Sequence, residues 1–198
     1  MENFWDKRYA VDEYVYGTQA NIFLKKHESV FPGKQLLALG EGEGRNAVYL
    51  ATKGYDVLAL DQSSVGKEKA LALAERNHVS LEYQIGEASK FPLLEKGWAG
   101  IYSLFLHMPY VMRVVMHRRI VSSLKPGGVF LALYYTPEQL NNKTGGPPQL
   151  DWLVSADNLK TELKGLRFQL LKETEMKLVE GKGHSDTANV VQCIAVKD

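Results

Sequence analysis

The chain has 198 residues, of which 45% are hydrophobic and 24% charged, with a formal net charge of +1. That length buries a full core in one domain without disulfides or metal staples, and the balanced charge excludes a nucleic-acid face built from a general basic surplus. Cys193 is the only cysteine, which excludes an internal disulfide and a cysteine-based zinc site.

Residues 1–8 carry charge where a signal peptide needs an apolar stretch. No apolar run approaches the roughly 20 residues that span a bilayer. The reading is a cytoplasmic single domain over residues 1–198, with no membrane or nucleic-acid partner; its oligomeric state is not legible. Residues 1–33 hold Trp5, Tyr9, Tyr14, Tyr16 and Phe23 and are expected to form a helical cover, packed on the domain or closing over a site.

From residue 34 the pattern alternates. A strand is expected over residues 35–39 and a helix over 45–53, with Gly54 as its C-terminal glycine. Residues 57–60 read as a second strand. A helix capped by Ser63-Ser64 follows and runs to about residue 77. Third and fourth strands are expected over 81–85 and 101–106. Val111, Val114, Val121 and Leu124 mark one face of a helix that Lys125-Pro126-Gly127-Gly128 ends, ahead of a fifth strand over 129–135. Residues 141–149 read as a loop and 156–163 as a short helix capped by Ser155. Strands over 168–177 and 190–196 are joined by Glu180-Gly181-Lys182-Gly183 and pair most simply as an antiparallel hairpin. The expected fold is therefore α/β, a Rossmann-like, doubly wound, mostly parallel sheet ending in an antiparallel C-terminal hairpin.

The strongest local signal is Leu36-Leu37-Ala38-Leu39-Gly40-Glu41-Gly42-Glu43-Gly44-Arg45-Asn46, a strand running through alternating glycines into a helix. Glycine lets a ligand lie close to the backbone, and the helix start offers free N–H groups to anionic ligand atoms. Asp61 closes the second strand, where a carboxylate can accept hydrogen bonds from both hydroxyls of a ribose. A dinucleotide fingerprint needs glycine where Arg45 stands, and a pyrophosphate sits poorly beside Glu41 and Glu43, whereas an ammonium group tolerates nearby acid. The pattern favours S-adenosylmethionine over a nicotinamide cofactor.

These residues resemble a class I S-adenosylmethionine-dependent methyltransferase over about residues 4–135. More closely, they are similar to the small tellurite-resistance-type and thiol S-methyltransferase-like group. The matching stretches are Phe4-Trp5-Asp6-Lys7-Arg8-Tyr9, Tyr14-Val15-Tyr16-Gly17, Gly40 through Ala47, Asp61-Gln62-Ser63-Ser64 and Leu124-Lys125-Pro126-Gly127-Gly128. The resemblance implies a cofactor wrapped by Gly40, Glu41, Gly42, Gly44 and Asn46, with Asp61 on the ribose. It places Glu87 and Ala88 at the adenine and Leu104 and Phe105 along the methionine side, and it makes Gln62 and, from the cover, Trp5 and Tyr9 further cofactor-binding residues. Ala38 stands where that family often has an acidic residue, so backbone carbonyls, water or Glu41 are expected to meet the ammonium group.

The implied activity is methyl transfer to a small acceptor, a thiol or a chalcogen oxyanion. Alternatives are a non-catalytic S-adenosylmethionine-binding module and a nicotinamide-dependent oxidoreductase. His107 follows the fourth strand and reads either as a general base on the acceptor side or as a packed loop residue. Arg8, Arg45 and His184 are candidates for an anionic substrate or for structural roles. His117 reads as structural and Cys193 as a buried filler.

Overall fold

The computed structural model describes residues 3–93, 97–142, 144–181 and 183–198. Seven strands form one sheet in the order β3-β2-β1-β4-β5-β7-β6. The strands are β1 (Gln35–Leu39), β2 (Asp56–Asp61), β3 (Glu82–Ile85), β4 (Trp98–Leu104), β5 (Leu124–Tyr135), β6 (Leu166–Glu180) and β7 (His184–Lys197). The first five pair in parallel, and β7 runs antiparallel to both β5 and β6. This is the expected Rossmann-like sheet with its antiparallel C-terminal hairpin.

Alternation along β1 explains the two layers. Leu36 and Ala38 face one core with Ala47, Leu50 and Ala70, which come from α3 (Arg45–Thr52) and α4 (Ser64–Arg76). Leu37 and Leu39 face the other with Met116 and Ile120 of α5 (Tyr110–Ser123) and Leu159 of α6 (Ala156–Glu162). Strands buried on both faces read as continuous apolar runs, and β1, β2 and β4 do so. Ser155 caps α6 in a reciprocal capping box with Asn158. The second layer also encloses an ionic cluster. Arg113 binds both oxygens of Glu162, whose Oε2 lies 2.7 Å from Nδ1 of His117, and all three residues are buried. His117 is structural, as expected, and Cys193 is fully buried.

The boundaries differ in informative places. Lys125-Pro126-Gly127-Gly128 lies inside β5 and does not precede it. Leu124 already pairs with Trp98, and regular pairing resumes at Gly100–Val129. Gly127 has φ +76, and a Cβ on Gly128 would stand 2.8 Å from the Lys125 carbonyl, so the glycines make a tight bulge within the strand. β4 starts before the expected residue and ends at Leu104, two residues early. The hairpin is longer than expected at its tip, where Glu180 pairs with His184. Residues 3–33 hold two short helices, α1 (Phe4–Tyr9) and α2 (Ile22–His27), and a 3₁₀ turn over Glu28–Val30.

Candidate functional site

From β1 the chain runs outward to β2 and β3, then returns to place β4 on the other side of β1. Open α/β sheets form a ligand crevice where strand order reverses, at the carboxyl ends of the strands. A cavity lies there, with about 750 Å³ of empty space counting its open mouth.

The loop after β1 forms its floor. Gly40, Gly42 and Gly44 have φ of +72, +62 and +88, a conformation that side-chain-bearing residues rarely adopt. Only Gly40 of the three lines the cavity. A Cβ on Gly42 would stand 2.6 Å from the Tyr9 hydroxyl, and one on Gly44 would stand 2.5 Å from Cβ of Ala70. Those two glycines let α1 and α4 pack against the loop.

Glu41 does what no side chain at the N-cap position of α3 does. Its Oε1 accepts the backbone N–H groups of Asn46 (3.0 Å) and Ala47 (2.8 Å), and its Oε2 accepts the Tyr102 hydroxyl (2.9 Å). The helix start that the sequence suggests for anionic ligand atoms is thus already filled by this carboxylate. Burial pushes the Glu41 carboxyl up to about 7, against the opposing pull of its hydrogen bonds from Ala47 and Tyr102.

Asp61, at the end of β2, joins two loops. One oxygen accepts the Gly42 N–H (3.0 Å) and the other the Ser63 N–H (3.0 Å). Its carboxyl is raised by burial, which the Ser63 and Gly42 hydrogen bonds oppose. Glu43 is buried and pairs with Lys69 of α4 at 2.6 Å. Lys69 also donates to the carbonyls of Tyr9, Val11 and Glu13, tying the N-terminal segment to the core.

Trp5, Tyr9, Gly40, Glu41 and Asn46 line the cavity, as do Asp61, Gln62, Ala88, Leu104 and Phe105. Glu87 does not. It borders a shallow recess beyond Gln62 and Gly86, half exposed and paired with Lys90. His107 also stands off the cavity wall. Phe105, at φ +59, turns the chain away from β4, and the His107 ring stacks on Tyr135 at 5.4 Å. Its Nδ1 lies 3.1 Å from the Trp152 carbonyl, and a carbonyl only accepts, so Nδ1 carries the proton. Arg8 packs over the Tyr16 ring and donates to its hydroxyl. The side chain of His184 lies outside the described residues. The cavity adds Gly17, Leu60, Gly86 and Leu106, which the sequence did not mark as site residues, together with Tyr16 of the expected cover, Glu43, and Arg45, which the sequence offered for an anionic substrate or a structural role.

Residues 36–128 match the family described as "Methyltransferase domain". The match spans 93 of the 198 residues. It holds the glycine loop, Asp61 and Phe105, whereas Trp5, Tyr9 and Tyr16 reach the cavity from outside it. Two curated relatives resemble the chain. "Hemagglutinin 1" of Eikenella corrodens is 29% identical over 139 residues, covering 62% of this chain and 45% of that protein. "2-heptyl-1-hydroxyquinolin-4(1H)-one methyltransferase" of Mycobacteroides abscessus is 27% identical over 119 residues, covering 59% and 50%. The chain spans about half the length of these relatives. Among solved structures, TehB from Haemophilus influenzae shares the fold at a TM-score of 0.71 and 17% identity, over 98% of this chain and 66% of that one. No helix among the described residues is long and apolar enough to cross a membrane.

Proposed function

We propose that the chain is a class I methyltransferase that moves a methyl group from S-adenosylmethionine to a small-molecule acceptor. The cofactor is S-adenosylmethionine. One observation carries this reading: the cavity wall holds the carboxylates of Glu41, Glu43 and Asp61, and its one arginine, Arg45, is already paired with Glu180. Glu41 takes the Asn46 and Ala47 N–H groups at the α3 N-terminus, so a second anion such as a pyrophosphate is disfavoured there. A ligand with a sulfonium and an ammonium group, a ribose and no phosphate fits that charge pattern. Aromatic faces from Trp5, Tyr9, Tyr16 and Phe105 suit a cation as well.

In this reading Asp61 accepts from the ribose hydroxyls, Gln62 and Ala88 border the adenine, and Leu104 and Phe105 border the methionine side. The sulfonium supplies an already activated methyl group. The protein's own contribution is alignment of the acceptor and exclusion of water. Residues 1–33 act as a cover on a single domain whose core is residues 34–198. The tellurite-resistance-type resemblance favours a thiol or chalcogen oxyanion as acceptor, and the quinolone-directed relative supports an acceptor of small-molecule size.

Calorimetry is expected to show binding of S-adenosylmethionine and S-adenosylhomocysteine, with none for NAD or NADP. Dinucleotide binding without either sulfur ligand would overturn the proposal. Incubation with methyl-labelled cofactor and mixed small acceptors then separates an enzyme from a binding module. His107→Ala is expected to change turnover less than about tenfold, because the ring lies off the wall. General-base help is worth about 10²–10⁴-fold, and a loss of that size with unchanged cofactor affinity would move His107 into the chemistry.

A further inference from the structure

Glu180 ends β6 at the tip of the C-terminal hairpin, beyond the residues that match the methyltransferase family. It is buried at 8% exposure, although the strand behind it alternates with exposed residues. Its Oε2 accepts from the Arg45 guanidinium at 2.8 Å across 135 residues of sequence. Its Oε1 accepts from the Asn21 side chain at 2.6 Å across 159 residues. Both partners lead to the cavity. Arg45 lines it and donates in turn to the Tyr16 carbonyl (3.2 Å), and Tyr16 lines it too. The Asn21 backbone N–H donates to Oδ1 of Asn46 (2.9 Å), another wall residue.

The hairpin tip also touches the wall directly. The Gly183 N–H donates to the Val15 carbonyl at 3.0 Å. A Cβ on Gly183 would stand 2.4 Å from the Tyr16 ring, so glycine there sets how closely the tip and that ring approach.

We propose that Glu180 is a positioning residue of the cofactor site, holding Arg45, Tyr16 and Asn46 in place from the hairpin tip; this rests on the functional reading above. The physical basis is the buried fork. A guanidinium that binds a carboxylate and a carbonyl at once fixes both in direction, and in a low-dielectric setting each bond is strong. Neutralising Glu180 leaves Arg45 buried without its counter-charge, and the guanidinium then moves toward the acidic cavity wall. Small displacements of positioning groups cost up to about a hundredfold in function.

Loss of a buried ion pair lowers stability by itself, so the melting temperature does not decide the matter. Affinity does, since a uniformly destabilised protein that remains folded binds as tightly as before. The test is calorimetry with S-adenosylhomocysteine on the wild type, Glu180→Gln and Gly183→Ala, well below each melting temperature. Glu180→Gln removes the charge and keeps an oxygen for Asn21. Gly183→Ala displaces Tyr16 and leaves every charge in place. About tenfold weaker binding in the folded variants is the expected result. If Glu180→Gln does not fold, Gly183→Ala decides alone. Wild-type affinity in either folded variant overturns the inference while the functional reading stands. A wild type that fails to bind S-adenosylhomocysteine overturns both.

Discussion

Asp61→Ala is expected to weaken S-adenosylhomocysteine binding by about a hundredfold, the upper end of what lost hydrogen bonds to a charged acceptor cost. Two losses combine. The proposed ribose contact goes, and so does the clamp between the loops after β1 and β2, where the carboxylate accepts from Gly42 and Ser63. Without it, those two N–H groups lose their partner and the loop carrying Gly40 and Glu41 is freer to move. The melting temperature is therefore also expected to fall. Asp61→Asn is expected to lie between wild type and Asp61→Ala, because its amide oxygen can serve one N–H while its NH₂ meets the other donor head-on. Calorimetry paired with thermal unfolding checks the order. Unchanged affinity in a folded Asp61→Ala protein would show that the ribose is held elsewhere.

Asp61 was legible in the sequence because it ends an apolar strand, where the sheet itself aims the side chain at the crevice. The same regularity made β1, β2, α3 and α4 readable, with boundaries moved by at most a residue or so. Legibility failed where a residue's role depends on a distant partner. Glu41 stands between two glycines and looks like a loop carboxylate, yet its oxygens take two α3 N–H groups and the Tyr102 hydroxyl from β4. Arg45 reads as a contact for an anionic substrate or as a structural residue until Glu180 arrives from the hairpin. Lys125-Pro126-Gly127-Gly128 has the composition of a turn, and only the pairing of Leu124 with Trp98 reveals a bulge inside a strand. His107 lies off the cavity wall because β4 ends at Leu104, two residues short of the expected end, and the chain takes a left-handed turn at Phe105.

Between pH 6 and 8, affinity for S-adenosylhomocysteine is expected to rise about tenfold in the wild type and to stay flat in Glu41→Gln. The Glu41 carboxyl titrates at about 7, raised from 4.5 chiefly by burial. A raised folded-state value means the protonated form favours folding. That contribution is complete below about 4.5 and is lost as pH climbs through about 7. Ligand binding has the opposite sense. A cationic ammonium group in the same cavity favours the ionised carboxylate, so binding draws a proton off Glu41 and is opposed where that proton is held. With the group mostly protonated at pH 6 and mostly ionised at pH 8, a single such linkage yields about one factor of ten. Both Glu41 oxygens are already engaged, so the charge acts through its field and not through contact. Gln at this position can still accept from Asn46 and Ala47 and can donate to the Tyr102 oxygen, which keeps α3 capped and the fold intact. Its affinity at pH 8 is expected to match the wild type at pH 6. Calorimetry at both pH values, in buffers of different ionisation enthalpy, measures the affinity and counts the released proton. A wild-type affinity that does not vary with pH, with no proton released, would separate Glu41 from the cofactor and leave it only as the cap of α3.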